Sequence, residues 1–190
     1  MKKLAMLAGG AALVAGLAAC SSSGTTATTT HSATASAAPK SGSEILTGQV
    51  TGAAALANTT TFHLKFTGPV NTTGTFSPPN TNATHQAAVF KTAAGDMAVN
   101  AIVSNPNQAP KIVNAAQCRF SFTTIANYTI DGAKSTGSFA DAKGSGKATV
   151  TFTADAPKLS SGKCNMNQNA QPLTKGAIGV FYAAGPLSLK

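Results

Sequence analysis

The sequence has 190 residues, a formal net charge of +9 and only 10% charged residues. Its basic residues are 13 lysines and one arginine, Arg119, scattered along the chain, and there is no tryptophan. Because nucleic-acid readers use clustered arginines and stacking aromatic side chains, this composition argues against a nucleic-acid partner.

The N-terminus has the pattern of a secretory signal. Lys2 and Lys3 precede an apolar run over residues 4–17, and a polar tract follows soon after it. A helix that spans a membrane needs about 20 apolar residues, so this run is too short to be one. We therefore expect residues 1–19 to be a signal peptide.

Residues 17–20 read Leu-Ala-Ala-Cys and resemble the lipobox of bacterial lipoproteins. The resemblance implies transfer of diacylglycerol to the Cys20 thiol and cleavage before it. Acyl chains hold a protein on a membrane without a spanning helix. The predicted location is the extracytoplasmic face of the cell membrane, lipid-anchored. The alternative is an ordinary secretory signal that leaves Cys20 free.

Residues 20–44 are predicted to be the lipidated cysteine and a disordered tether. The part from residue 21 on has no aromatic or large aliphatic side chain, so it cannot bury enough apolar area to offset its ordering entropy. It is either a plain spacer or an O-glycosylated tract. The wealth of Ala, Thr and Gly resembles exported proteins of actinobacteria.

Two cysteines, Cys118 and Cys164, remain once Cys20 is acylated. An even count outside the cytoplasm predicts a disulfide, and only one pairing is possible. It would close a loop of about 47 residues and stabilise the fold by about 4 kcal/mol. A metal site or a catalytic thiol is the alternative, but no His or carboxylate lies near either cysteine in the sequence.

Residues 45–190 are expected to form one all-β domain. Apolar residues alternate with polar ones over 61–67, 118–125 and 147–154, which is typical of half-buried strands. Weaker candidates include 128–130, 137–140, 177–183 and 187–189, and only the stretch near Ala53 looks helical. Many short strands separated by turn residues favour a small barrel or a β-sandwich.

The segment 141–149, DAKGSGKAT, has glycines next to a lysine, as a phosphate-binding loop does. Such a loop needs Gly where Asp141 stands and Ser or Thr where Ala148 stands, and it opens a helix rather than a strand. The glycines are better explained by positive φ or by close approach between strands. We therefore predict a turn here.

The same region carries a second resemblance, in Thr136, Gly137, Phe139, Ala142 and Gly144. This succession is similar to the glycine-rich hairpin of the allene oxide cyclase and dirigent superfamily, over about twenty residues. The resemblance implies an eight-stranded β-barrel with an apolar central cavity. No catalytic residue is carried over from it.

Ionisable residues that could do chemistry are few. The carboxylates Asp96, Asp131, Asp141 and Asp155 lie in turn-like contexts, where Asp normally bonds its own backbone. His63 and His85 lack a third ligand at metal-binding spacing. We therefore predict no catalytic residues, no metal and no cofactor.

Two functions compete. The first is a non-catalytic binding module for a small apolar ligand, suggested by phenylalanines on strand faces, namely Phe62, Phe66, Phe120, Phe122 and Phe152. The same rings could instead fill a solid core, so the ligand-binding residues stay unassigned. The second is a structural or interaction protein of the cell envelope that binds anionic polymer or a protein through Lys111, Lys143, Lys147 and Lys158. An isomerase or cyclase is a third alternative by analogy alone.

Overall fold

A computed structural model of the chain describes residues 40–57, 59–79, 83–106, 108–167 and 170–190. The predicted signal peptide, Cys20 and most of the tether lie outside the described residues. The described part consists of strands and two short 3₁₀ helices, Gly52–Leu56 and Gly137–Phe139, with no α-helix. The strands are β1 (Ser41–Thr51), β2 (Phe62–Thr67), β3 (Thr72–Phe76), β4 (His85–Thr92), β5 (Gly95–Val103), β6 (Lys111–Asn114), β7 (Arg119–Ile130), β8 (Lys143–Asp155) and β9 (Leu173–Ser188).

Eight of these strands close into an antiparallel barrel. Their order is β5-β4-β3-β2-β1-β9-β8-β7, and β7 pairs with β5 to complete the ring. The short strand β6 lies outside this ring on the edge of β7. The all-β prediction is confirmed, and the architecture is the barrel rather than the sandwich.

The alternation of apolar residues sets which side chains point inward. In β2 the residues Phe62, Leu64 and Phe66 are buried, whereas His63 and Lys65 between them are exposed. The same period of two is seen over residues 177–183 of β9 and at the end of β7, over residues 127–130. The barrel interior is therefore built from one face of each strand.

The predicted boundary between tether and domain was wrong by four residues. Strand β1 begins at Ser41, which pairs with Ser188 of β9, and Glu44 in the same strand is only 2% exposed. These residues lack an apolar pattern, so their place in the sheet depends on backbone pairing with β9. The barrel therefore begins before residue 45.

The prediction of a turn over 141–149 holds only at its start. Asp141 lies in a turn with a φ of 59°, but β8 already begins at Lys143. A Cβ atom at Gly146 would meet the carbonyl oxygen of Ala184 and the ring of Tyr128. Close approach between neighbouring strands thus explains this glycine, and a strand follows where a phosphate loop would open a helix.

Four of the weaker strand predictions also needed correction. Residues 137–139 form a 3₁₀ helix, and 128–130 are the end of β7. Residues 177–183 and 187–189 were predicted as separate strands, but β9 runs on from Leu173 to Ser188. Gly185 and Pro186 look like a break in the sequence, yet both lie in the ladder with β1. On the side of β8, the Ser145 carbonyl approaches Gly185 too closely to leave room for a Cβ atom.

The predicted disulfide between Cys118 and Cys164 is present, with the two Cα atoms 5.3 Å apart. Cys118 is fully buried in a small second core with Phe120 and several alanines. The bridge therefore joins the beginning of β7 to the segment between β8 and β9.

Candidate functional site

The barrel has two different ends. We call the end at which β1, β5 and β8 finish the mouth end, and it includes the 3₁₀ helix Gly52–Leu56. We call the opposite end, with the tight turn between β4 and β5, the floor end. There Phe139 of the second 3₁₀ helix is fully buried, with its ring centroid 6.1 Å from that of Phe66. Side chains therefore close the floor end.

A cavity of about 770 Å³ lies in the barrel interior toward the mouth end. Its lining extends to Pro78 and Pro79 after β3 and to Pro106, Gln108 and Ala109 after β5. Because Gln108 and Ala109 are exposed to solvent, the cavity opens at the mouth end.

The cavity exists because one side of the barrel carries small side chains. Ala88 of β4, Ala101 of β5, Ala126 of β7 and Ala148 of β8 all line it. These four strands follow one another around the ring. An alanine extends no further than its Cβ atom, so these four positions leave room that larger side chains would fill.

Five phenylalanine rings also line the cavity and form what we call its aromatic wall, and three of them come from strands that also carry the alanines. The ring of Phe76 stacks on that of Phe90 at 4.6 Å between centroids, and the ring of Phe181 lies 5.0 Å from Phe76. Phe122 and Phe152 form a second stacked pair at 5.2 Å. These five rings line the cavity and give it an apolar surface that suits flat or chain-like apolar groups.

The five predicted phenylalanines separate into two groups. Phe62 and Phe66 belong to the main core without lining the cavity, and Phe120 belongs to the second core. Only Phe122 and Phe152 line the cavity, and the sequence did not single out the other three rings of the wall. Period-two alternation indicates that a ring points inward, but not how far from the mouth it lies.

Several polar side chains stand among the apolar lining, and Tyr128 is one of them. Tyr128 is buried, and burial together with the charge of Glu44 raises the pKa of its phenol to about 12. The hydroxyl is therefore neutral at pH 7 and can donate or accept a hydrogen bond. Thr60 and Thr124 also line the cavity, and the Thr60 hydroxyl donates to the carbonyl of Ala57.

Glu44, the only glutamate of the chain, is buried near the floor end. Its Oε2 atom accepts a hydrogen bond of 3.0 Å from the Val70 amide, whereas Oε1 has no partner among the described residues. Burial raises the pKa of this carboxyl, and the amides of Val70 and Thr67 offset part of the rise. The sequence analysis missed this residue because it assigned residue 44 to the tether.

We expect the free energy of unfolding to fall as pH rises above about 4.5, the ordinary pKa of glutamate. The folded state holds the Glu44 proton more tightly than the unfolded chain does. The stabilisation from this proton is therefore complete below the pKa of Glu44 in the unfolded chain. It is lost as the pH rises through the higher pKa of Glu44 in the folded state. In Glu44→Gln this loss should be absent. Urea unfolding of both proteins across this pH range measures the difference.

Asp141→Asn is the matched control for that experiment. The ion pair with Lys190 lowers the pKa of Asp141 below 3.8. The contribution of Asp141 to stability should therefore be lost as the pH falls, in more acidic solution than the Glu44 effect and with the opposite sign. A difference between wild type and Glu44→Gln that does not change with pH would contradict the assignment of Glu44.

The carboxylates and histidines considered in the sequence are dispersed. Asp131 and Asp155 form ion pairs of 2.8 Å with Lys134 and Arg119. His63 is exposed on β2, and His85 is exposed at the start of β4. Within the described ranges, no group of three His, Cys, Asp or Glu residues could hold a metal ion. No helix of the described part is long and apolar enough to cross a membrane.

The four lysines proposed for anionic partners do not form one patch. Lys111 of β6 and Lys158 lie at the mouth end, and Lys158 pairs with Cys164 in an isolated bridge. Lys143 begins β8 at the floor end, and Lys147 follows four residues later on the same strand. A partner of this kind could contact only part of the set at once.

The fold and the site define a small eight-stranded antiparallel barrel with an apolar cavity that opens at one end. Comparison of the chain with protein-family models, with curated proteins and with solved structures found no match. The strand number agrees with what the resemblance to the allene oxide cyclase and dirigent superfamily implies, and membership of that superfamily stays a prediction. The function is therefore argued from the cavity itself.

Proposed function

We propose that the protein is a membrane-anchored extracytoplasmic lipoprotein whose barrel binds a small apolar or amphipathic ligand. The observation that carries this proposal is the cavity of about 770 Å³ with its largely apolar lining. Small-molecule sites typically measure about 300–1,000 Å³ and are mostly apolar with a few polar groups. An eight-stranded barrel is wide enough to hold one small ligand.

The lining indicates the chemistry of the ligand. The aromatic wall and the four alanines favour an apolar body, and the neutral hydroxyl of Tyr128 favours one hydroxyl or carbonyl group on it. No fixed charge is among the described residues that line the cavity. An uncharged, weakly amphipathic molecule therefore fits better than an ion.

The proposed location is supported by the signal sequence and by the lipobox-like residues that end at Cys20. The disulfide between Cys118 and Cys164 agrees with an oxidising compartment. A lipid anchor would keep the barrel at the membrane surface, where apolar molecules are concentrated. We therefore place the binding event outside the cytoplasm, next to the lipid bilayer.

Native mass spectrometry of the chain from Ser21 onward tests the proposal. This chain lacks the acylated thiol but keeps all the described strands and the disulfide. We expect a bound species that is lost on denaturation, or uptake of an added apolar probe. A mass without ligand that stays unchanged with added fatty alcohols and aromatic probes would contradict ligand binding.

Filling the cavity should prevent uptake. In Ala88→Phe a ring enters the cavity, and we expect the dissociation constant for the fluorescent probe N-phenylnaphthylamine to rise at least about tenfold, a change of only about 1.4 kcal/mol. The matched control is Ala87→Phe, because the neighbouring Ala87 is exposed on the outside of the same strand. Equal probe binding by the two variants would place the probe outside the cavity.

A further inference from the structure

Part of the mouth end is a compact surface that we call the rim lobe. It consists of β6 with the turn that follows it (residues 111–118), residues 156–166, and residues 173–175 at the start of β9. The disulfide between Cys118 and Cys164 and a hydrogen bond of 2.9 Å from the Ala156 amide to the Cys118 carbonyl join the first two parts. The third is joined through the pairing of Leu173 with Asp155.

The rim lobe exposes an unusual amount of apolar surface. In the described part of the chain ten large apolar residues are exposed, and five of them lie in the rim lobe. Val113 is the most exposed, at 59%. The five residues are Ile112, Val113, Leu159, Met166 and Leu173.

The same surface is basic. It carries Lys111, Lys158, Lys163 and Lys175, all of them exposed and without an ion pair among the described residues. Over residues 104–119 and 155–177 the sequence has a single acidic residue, Asp155. Since Asp155 is 2.8 Å from Arg119, it does not compensate the four lysines.

We propose that the rim lobe docks on an anionic lipid bilayer. Apolar side chains that enter the interface and lysines that meet anionic head groups are the two contributions that bind proteins to such surfaces. A soluble anionic polymer would engage the lysines but leave the five apolar side chains in water. The bilayer is therefore the partner that uses both features.

The position of the rim lobe gives this docking a consequence for the cavity. Ala109 and Pro110 line the cavity, and Lys111 of the rim lobe follows them directly in the chain. Docking would therefore bring the cavity opening close to the lipid. Ligand exchange between the cavity and the bilayer rests on the proposed function. Docking of the rim lobe does not, because docking requires no ligand in the cavity.

Vesicle flotation of the chain from Ser21 onward tests the docking, because this chain has no acyl anchor that could bind by itself. We expect it to float with vesicles of phosphatidylcholine and phosphatidylglycerol and to stay unbound with phosphatidylcholine alone. Failure to float with the anionic vesicles overturns the docking, and uptake of N-phenylnaphthylamine by the same sample then decides the proposed function separately.

Charge variants locate the contact. We expect Lys158→Gln with Lys163→Gln to weaken binding by about 25-fold, about fivefold for each lysine. The matched control is Lys65→Gln with Lys143→Gln, two exposed lysines on the barrel wall. Equal weakening by both pairs would mean that net charge, not the rim lobe, causes binding, and would overturn the docking.

Apolar variants separate a bilayer from a polymer. We expect Val113→Ser with Leu159→Ser to weaken binding by about tenfold, since both side chains enter the interface. Val89→Ser with Ile102→Ser is the matched control, because these residues are 43% and 53% exposed on β4 and β5. If the rim variants bind vesicles as the wild type does and polyglutamate competes for the same site, the partner is a polymer and the docking is overturned.

Discussion

Replacing both Cys118 and Cys164 by serine is expected to lower the free energy of unfolding by about 4 kcal/mol. The bridge joins residues 46 apart in sequence, and in the chain-entropy model a loop of that length restricts the unfolded chain by about this amount. For a domain of this size the melting temperature should fall by roughly 8 to 16 °C. Urea unfolding measures the free energy and thermal unfolding measures the melting temperature, both followed by circular dichroism.

Reduction and alkylation of the wild type provide the second route to the same state. Both samples should unfold at a lower urea concentration than the oxidised wild type, and by a similar amount. Since Cys118 is fully buried, alkylation at that position adds bulk to the second core and should not make the reduced sample more stable than the serine variant. Stability equal to that of the oxidised protein in both samples would contradict the prediction.

The second large effect is expected from Phe62→Ala, which should cost about 3 to 5 kcal/mol of stability. Phe62 is fully buried, and its ring lies 5.9 Å from Phe152 and 6.0 Å from Phe181 between centroids. Its removal would leave a hole next to these two rings. Thermal and urea unfolding of the variant provide the measurement.

Phe122→Ala is the matched control for this substitution. Phe122 is only half-buried, lines the open cavity and has a single ring contact, with Phe152. Because one side of this ring already faces the cavity, its loss should cost less, about 1 to 2 kcal/mol. Equal costs at the two positions would mean that Phe62 is packed no better than a ring that faces the open cavity, which would contradict the prediction.

Much of the sheet could be predicted because, within a strand such as β2, the alternation of apolar and polar residues in the sequence indicates which face is buried. The alternation of Phe62, Leu64 and Phe66 with polar residues indicates a strand, whatever its neighbours are. The start of β1 shows no such pattern, since Ser41 belongs to the barrel only through its pairing with Ser188. Pairing between distant strands is a property of the whole sheet, and local periodicity does not report it.

The cavity could not be predicted for a related reason. Ala88 and Ala101 look like ordinary small residues in their strands, and each could as well face a large neighbour. They form a thin wall because the ring order brings β4, β5, β7 and β8 together. The pairing of β5 with β7 closes the ring and brings these four strands together, although β6 lies between β5 and β7 in the sequence.

The ring is not equally strong all around. Strands β7 and β8 are matched over eleven residue pairs, whereas β3 and β4 are matched over two, Gly74 with Thr92 and Thr75 with Lys91. Beyond these pairs the stacked rings of Phe76 and Phe90, which also line the cavity, hold the two strands together. Local openings are least costly where backbone hydrogen bonds are fewest. We therefore expect local opening to be easiest where β3 pairs with β4, and these two strands carry Phe76 and Phe90 of the cavity lining.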